Sequence, residues 1–198
     1  DSFRPPMSLA VLYSRSLAGM DAPLVTVEIH LANGLPSFTI VGLPEIEVKE
    51  AKDRVRAALQ NARFEFPARH ITVNLAPADL PKESGRFDLP IALGILAASG
   101  QLPVDQLAEY EFAGELALTG ELRPIRGTLA MMYGASRDRR AFIVPHENAP
   151  EAALVEGGIG TTGTVSGLAG GSGFSGISGL GGFSGLTCGR GSISGFAR

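Results

Sequence analysis

Glycine is distributed so unevenly along this chain of 198 residues that only one part of it can build a folded core. Residues 157–198 hold 16 of the 26 glycines and contain no aspartate, glutamate or lysine. Ordering glycine is entropically costly, and regular apolar periodicity is missing there. We therefore predict a leader at residues 1–6, a globular segment over 7–156, and a disordered Gly/Ser-rich low-complexity tail at 157–198, with no packed core over 160–198.

Charge and cysteine content narrow the class of protein. The net charge is −3, and residues 1–156 alone carry 15 basic and 20 acidic side chains. Proteins that hold nucleic acid by whole-surface electrostatics are usually strongly basic, so we do not expect that mode of binding. The single cysteine, Cys188, cannot form an internal disulfide, which favours a reducing, cytoplasmic location. No run of about 18 apolar residues is present, and we expect no association with a membrane.

The spacing of apolar residues predicts alternating strands and helices with a mixed sheet, an α/β (α+β) fold. Val25, Val27 and Ile29 fall on one face of a half-buried strand. Asn33-Gly34 predicts a tight hairpin that joins this strand to the next one. The predicted strands are 8–13, 24–31, 37–41, 70–75, 110–118, 121–125 and 141–145, and the predicted helices are 44–62, 89–99, 128–138 and 149–155.

Three long motifs resemble a known family. The stretches ITVNLAPADLPKESGRFDLPIALGIL (71–96), GLPEIEVKEAKDRVRAAL (42–59) and GELALTGELRPIRG (114–127) resemble the amino-terminal domain of the ComM/YifB proteins, the magnesium-chelatase-related AAA+ ATPases. The resemblance covers about residues 7–156. It implies a Lon-protease-like domain, of the fold shared with a ribosomal protein and small-metabolite kinases. That fold has a left-handed βαβ crossover, an exception to the usual hand.

The resemblance also implies a setting for this domain. In full-length relatives an AAA+ module follows, and they resemble hexameric motors that drive DNA branch migration during natural transformation. The expected partners are thus the AAA+ module of the parent chain and the other subunits of a homo-hexamer, with DNA contacted indirectly. The dipeptide Gly-Lys of a P-loop is absent here, so ATP and Mg²⁺ would belong to the AAA+ module. We expect a non-catalytic regulatory or docking domain, without cofactor or metal.

The alternative within the same fold is a divergent Lon-like serine peptidase. Such an enzyme needs a serine nucleophile and a lysine base with a lowered pKa. By the resemblance, Arg86 occupies the serine position and Leu129 the lysine position. The chain has only three lysines, Lys49, Lys52 and Lys82, and arginine stays protonated. We therefore assign no catalytic residue.

The loop before the second long helix is the candidate site for an anion or a partner. Lys82, Ser84, Arg86 and Asp88 lie in it, and the backbone amides of a helix start would add donors for a phosphate or a nucleic-acid backbone. The plainer interpretation is preferred. In it Asp88 caps helix 89–99, while Lys82, Glu83 and Arg86 make surface or interdomain ion pairs.

Arginines later in the chain form a second candidate site. This basic patch would face DNA in a ring assembly, or would simply be a solvated face, which the nearby acidic residues favour. Its members are Arg123, Arg126, Arg137, Arg139 and Arg140. The three histidines, His30, His70 and His146, lack the spacing of metal ligands, so no metal site is expected.

The tail itself has two explanations. Members of the family continue with a mixed charged and apolar segment, whereas acidic residues here vanish after Glu156. A reading-frame shift or a gene-calling artefact would produce such a change, and we prefer that explanation. The alternative is a genuine tail, flexible or weakly self-associating through Phe174, Phe183 and Phe196.

Overall fold

An eight-stranded mixed sheet forms the centre of the structure, which is a computed structural model. The structure describes residues 8–19, 21–104, 107–155, and the backbone of 166–167 and 186–189. The strands are β1 (Leu9–Arg15), β2 (Leu24–Ala32), β3 (Ser37–Val41), β4 (His70–Ala76), β5 (Tyr110–Phe112), β6 (Glu115–Leu116), β7 (Leu122–Arg123), β8 (Ala141–Pro145), β9 (Ser166–Gly167) and β10 (Leu186–Gly189). The main sheet has the order β3-β4-β2-β1-β5-β8-β10-β9, and β6 with β7 form a small antiparallel pair.

The alternation that predicted β2 is confirmed by its burial. Val25, Val27 and Ile29 are fully buried, because every second side chain of a strand points to the same face of the sheet. β1 pairs antiparallel with β2 along its whole length, from Leu9 opposite His30 to Arg15 opposite Leu24. The expected mixed α/β architecture is confirmed as well, since β1 is antiparallel to β2 and parallel to β5.

The predicted hairpin at Asn33-Gly34 is wrong. Both strands exist, but β4 lies between β2 and β3, antiparallel to the first and parallel to the second. In this central position Ile71, Val73 and Leu75 are fully buried, so one face of β4 packs on the core. The helical segment between β3 and β4 makes their parallel pairing possible.

Within the described residues, five α-helices accompany the sheet: α1 (Ile46–Lys49), α2 (Ala51–Asn61), α3 (Asp88–Ala98), α4 (Thr128–Arg137) and α5 (Ala149–Ala153). The single helix predicted over 44–62 is divided at Glu50 into α1 and α2. All residues of α3 are buried, as its all-apolar sequence predicts. At Gly94, α3 lies so close to β2 that an added Cβ would be 2.1 Å from the Cδ1 atom of Ile29.

The strand predicted over 110–118 is shorter than expected and breaks after Phe112. The N–H of Gly114 donates to the carbonyl of Arg86, and its own carbonyl accepts from the N–H of Leu89. These bonds tie the segment to the start of α3 instead of to the main sheet. The predicted helices at 128–138 and 149–155 are confirmed as α4 and α5.

The leader at 1–6 and most of the tail at 157–198 lie outside the described residues. The expectation of a tail without regular structure does not hold for the few tail residues that the structure describes. There β10 pairs antiparallel with β8, from Leu186 opposite Pro145 to Gly189 opposite Phe142, and β9 pairs with β10. The physical reason is that β8 would otherwise present an unpaired row of backbone donors and acceptors.

Candidate functional site

Three segments of the chain converge beside the first turn of α4. The Ser16 hydroxyl, just after β1, donates to the carbonyl of Pro81 at 2.7 Å. An added Cβ on Gly127 would lie 2.4 Å from the Cδ1 atom of Leu17, so the start of α4 packs on the same segment. The third contact joins the loop to the helix, through Arg86 and Met131. The end of β1, the loop at 81–87 and the start of α4 therefore enclose one common region.

Lys82 is fully buried, so of the two expected kinds of ion pair, surface or interdomain, the surface one is wrong for this residue. Its ammonium donates to the carbonyl of Pro77. Its backbone N–H donates to the carbonyl of Leu43 at 3.4 Å, and its carbonyl accepts from Glu45 at 2.9 Å. Burial lowers the pKa of Lys82, and the charge of Asp79 opposes this shift. The backbone bonds of Lys82 thus hold the loop against the segment before α1, and its ammonium is bonded to Pro77 and not to Ser84.

Arg86 is also buried, with 3% of its surface exposed, so the surface alternative of its expected ion pair is wrong as well, while the interdomain alternative stays a prediction. Its Nε donates to the Ser84 hydroxyl at 2.8 Å, and its Nη1 lies 3.9 Å from the sulfur of Met131. Among the residues that the structure describes, no carboxylate lies within 4.0 Å of this guanidinium. Burial lowers the pKa of Arg86, while the more distant charge of Glu83 raises it. Arg86 is therefore a buried cation that forms no close ion pair with a carboxylate in the described part of the chain.

Ser84 holds its hydroxyl against Arg86 from a strained backbone. Its φ is 65° and its ψ is 171°, a combination that is nearly restricted to glycine and costs about 1–3 kcal/mol elsewhere. The next residue, Gly85, leaves no room for a side chain, because an added Cβ would be 2.6 Å from Glu115 Cγ. The tight packing of this turn keeps Ser84 in the unusual conformation, and its hydroxyl accepts the hydrogen bond from Arg86.

Asp88 does not cap α3, contrary to the prediction. No side-chain hydrogen bond to the start of the helix is formed. Its carboxylate instead accepts from Arg54, at 2.7 Å from Nε and 3.0 Å from Nη2, and from the N–H of Leu116 at 3.1 Å. A guanidinium on α2 competes successfully with the helix amides because bidentate, charge-assisted hydrogen bonds are stronger. Burial raises the pKa of Asp88 to about 6, although Arg54 and the Leu116 N–H lower it.

The α4 residue that meets Arg86 is Met131, whereas the lysine position was assigned to Leu129. Leu129 is 44% exposed, while Met131 is fully buried. Residues two apart lie on nearly opposite sides of a helix, so only one of the two can face the loop. Three residues before Met131, on the same side of α4, Thr128 is fully buried and its hydroxyl has no hydrogen-bond partner. The Ser14 hydroxyl in β1 is unpaired too.

The five arginines of the predicted basic patch are spread along α4 and the segments on either side of it. Arg126 precedes α4, whereas Arg137 and Arg139 lie at its far end, about 15 Å away for a helix of 10 residues. Arg123 pairs with Glu115 at 3.8 Å. Arg140 is half-buried, with its guanidinium 4.2 Å from the ring centre of Tyr13 and 3.5 Å from Glu111.

A buried ion-pair cluster around Arg15 was not expected from the sequence. Arg15 donates to both carboxylate oxygens of Glu111, at 2.6 and 2.7 Å, to the carbonyl of Ala22 at 2.9 Å, and to Asp138. An added Cβ on Gly134 would lie 2.5 Å from its Nη1 atom. Glu111 and Asp138 raise the pKa of Arg15 against the effect of burial. No local pattern could have shown this cluster, because Arg15 and Glu111 are 96 residues apart.

Metal-ligand clusters and membrane-spanning helices are both missing from the described residues. His, Cys, Asp and Glu side chains do not form a group of three or more that could hold a metal ion within that part of the chain. Over the same residues, every helix is too short or too polar to cross a bilayer.

Comparison with known proteins defines the class to which this mixed-sheet domain belongs. The chain belongs to the family described as subunit ChlI of Mg-chelatase, which it matches over residues 27–148. Within that class it is 61% identical over 149 residues to the competence protein ComM of Haemophilus influenzae, covering 75% of this chain and 29% of ComM. It is 53% identical over 151 residues to YifB of Escherichia coli, covering 76% of this chain and 30% of YifB.

A more distant similarity concerns a protease. The chain is 26% identical over 138 residues to Lon protease 2 of Thermus thermophilus, covering 66% of this chain and 17% of that protein. The chain therefore spans about three tenths of the length of ComM and YifB, and less of Lon protease 2. The resemblance to the ComM/YifB family given by the three sequence motifs is confirmed.

Proposed function

We propose that this chain is a non-catalytic regulatory or docking domain of a magnesium-chelatase-like AAA+ ATPase. The full-length protein would act as a hexameric DNA branch-migration helicase in natural transformation. Identity of 61% to a competence protein supports that setting. ATP and Mg²⁺ would bind to the AAA+ module, the domain would contact that module in the cytoplasm, and DNA would be reached indirectly. The similarity to Lon protease 2 supports the finer proposal of a Lon-like fold with a left-handed βαβ crossover.

One observation carries the docking role, an exposed apolar stripe on α4. Leu129 and Tyr133 are 44% and 51% exposed, and they lie one turn apart on the same side of the helix. Arg137, one further turn along, extends this stripe with a charge. Leu154, just beyond the adjoining α5, is 67% exposed. An apolar centre with an arginine at its rim is typical of a surface that another protein module covers.

The alternative peptidase receives less support from the geometry. The Ser84 hydroxyl accepts from Arg86, which cannot act as a base, and Lys82 is engaged with the carbonyl of Pro77. Neither pair provides the hydrogen bond from a nucleophile to a base that covalent catalysis needs. Cleavage of casein by the chain, lost in Ser84→Ala, would favour the peptidase over the docking role.

A chimera tests the docking role. The matching segment of Haemophilus influenzae ComM is replaced by residues 8–155 of this chain, and transformation frequency is measured in that host. We expect transformation to be retained, and to fall at least about tenfold when Tyr133→Asp is added, since a buried charge at an interface opposes association. The control is Leu35→Asp, at a loop position that is 89% exposed. Transformation at the level of a ComM deletion, with normal accumulation of the unmodified chimera, would contradict the proposal.

A further inference from the structure

The buried guanidinium of Arg86 marks a position where a negative charge is missing. Charges are rarely buried unless they are paired, because desolvation of an unpaired ion is costly. By contrast, Arg15, which is buried, and Arg54, which is half-buried, each have a bidentate carboxylate partner. Arg86 has only a hydroxyl and a thioether, which are neutral and, in the case of sulfur, weak acceptors.

Two further groups, on the two segments that meet at the Arg86–Met131 contact, lack partners or are held under strain. Thr128 is fully buried with an unpaired hydroxyl, one helical turn before the methionine that touches Arg86. Ser84 adopts a positive φ that places its hydroxyl on the Nε of Arg86. In addition to this bond, Nη1 lies 3.9 Å from the sulfur of Met131 on α4, so the guanidinium contacts only neutral partners there. Strained residues and unsatisfied buried polar atoms concentrate at binding sites.

We propose that Arg86, with the hydroxyls of Ser84 and Thr128, binds the terminal phosphate group of a small molecule. A guanidinium fork matches the oxygens of a phosphate, and hydroxyls supply the remaining donors. The N–H of Leu129 at the start of α4 does not contribute, because it already donates to the Glu151 carboxylate at 3.0 Å. The site also differs from the loop predicted from sequence, since Lys82 and Asp88 are engaged elsewhere.

Burial selects a terminal phosphate over a nucleic-acid backbone. A backbone phosphate is flanked by sugars on both sides, and a guanidinium with 3% exposure offers no groove that would accept them. Inorganic phosphate or a phosphomonoester has an end without a sugar, so it needs less room around the guanidinium than a backbone phosphate does. The proposal does not depend on the docking role, and its failure would leave that role untouched.

The test measures thermal unfolding of the full chain with increasing inorganic phosphate, at ionic strength held constant with sodium chloride. We expect a saturable rise in Tm of about 5 °C at high occupancy. Arg86→Met should abolish the response, and Thr128→Val, which keeps the shape but removes the hydroxyl, should weaken the apparent affinity about tenfold. Arg123→Met is the matched control at an exposed arginine and should respond like the wild type.

A second measurement guards against loss of folding in the variants. The Nε–H resonance of Arg86 in the wild-type chain should shift on titration with phosphate and stay unchanged with chloride. A short single-stranded DNA without a terminal phosphate should not compete with inorganic phosphate. Equal responses to phosphate and chloride, an unchanged response in Arg86→Met, or binding of that DNA in place of phosphate would each overturn the proposal.

Discussion

The cluster around Arg15 and the loop around Arg86 both bury a guanidinium, with 4% and 3% exposure. Arg15 has Glu111, Asp138 and the carbonyl of Ala22 as partners, so its charge is compensated inside the domain. Arg86 has no carboxylate partner among the described residues, only Ser84 and Met131. Burial of a charge is tolerable when partners replace water, and costly when they do not. The Arg15 cluster therefore stabilises the folded domain, whereas the loop around Arg86 is the site that we propose for a phosphate group.

The largest expected effect is on the Arg15 cluster. Glu111→Gln removes the fully buried carboxylate of this cluster, so Arg15 keeps only the half-exposed Asp138 as a counter-charge. We expect the free energy of unfolding to fall by about 3–5 kcal/mol in urea denaturation. The control is Glu115→Gln, which breaks the exposed pair with Arg123 and should lower it by less than about 1 kcal/mol. Equal small losses in both variants would remove the distinction between the two kinds of pair.

The effect expected at the Arg54–Asp88 pair is the next largest, and the pH dependence of the free energy of unfolding tests it. Burial raises the pKa of Asp88 from its ordinary 3.8 to about 6, so the folded state holds this proton more tightly than the unfolded state. The resulting stabilisation is complete below pH 3.8 and is lost as the pH rises through 6. The unfolding free energy of the wild type minus that of Asp88→Asn should therefore fall by up to about 3 kcal/mol across this window. A difference that rises with pH would show that Arg54 outweighs burial.

A smaller effect tests the packing around Arg15. Gly134→Ala places a methyl group where the guanidinium lies, 2.5 Å from Nη1. Alanine is normally favoured over glycine inside a helix by about 0.5–1 kcal/mol, yet we expect a net loss of about 1–3 kcal/mol. The control on the same helix is Ser136→Ala, which should be neutral or stabilising. A Gly134→Ala variant more stable than the wild type would mean that the cluster relaxes freely.

The smallest change is expected at Arg86. In phosphate-free buffer, Arg86→Met replaces an unpaired buried cation by an apolar side chain of similar length. The unfolding free energy should stay within about 1 kcal/mol of the wild type or rise, opposite in direction to Glu111→Gln. Urea denaturation of both variants in one series gives the comparison. A loss above about 2 kcal/mol for Arg86→Met would show that Arg86 is compensated in solution after all.

Sequence patterns predicted the local elements of this domain better than its charges. The alternation in β2 and the all-apolar α3 were sufficient because burial on a strand or helix follows a fixed period. The Asn33-Gly34 signal failed because the insertion of β4 is decided by packing across the sheet, which a turn dipeptide does not record. Asp88 was assigned to a cap because its actual partner, Arg54, lies 34 residues away.

The candidate site shows the same limit. The residues Lys82, Ser84, Arg86 and Asp88 were found from their chemistry, but their charged composition suggested a solvated loop. In the structure the four residues have different roles. Lys82 is buried and bonded to the Pro77 carbonyl, and Ser84 has a strained backbone. Arg86 is bonded to the Ser84 hydroxyl without a carboxylate partner, and Asp88 is paired with Arg54. Nothing in the sequence singles out Thr128, because a threonine at the start of a helix is common. Its unpaired hydroxyl results from the packing around it, which the sequence does not reveal.

The parallel pairing of β1 with β5 also has a consequence for how the chain is made. Tyr13 lies opposite Glu111, so one edge of β1 has no partner until the segment around Phe112 has been synthesised. By then the hairpin of β1 and β2, which ends at Ala32, has been outside the ribosome for on the order of 10 s at about 5–20 residues per second. During this interval an open strand edge is exposed on the nascent chain. The N-terminal half is then the part most prone to wrong pairing, and the arrival of β5 ends that risk.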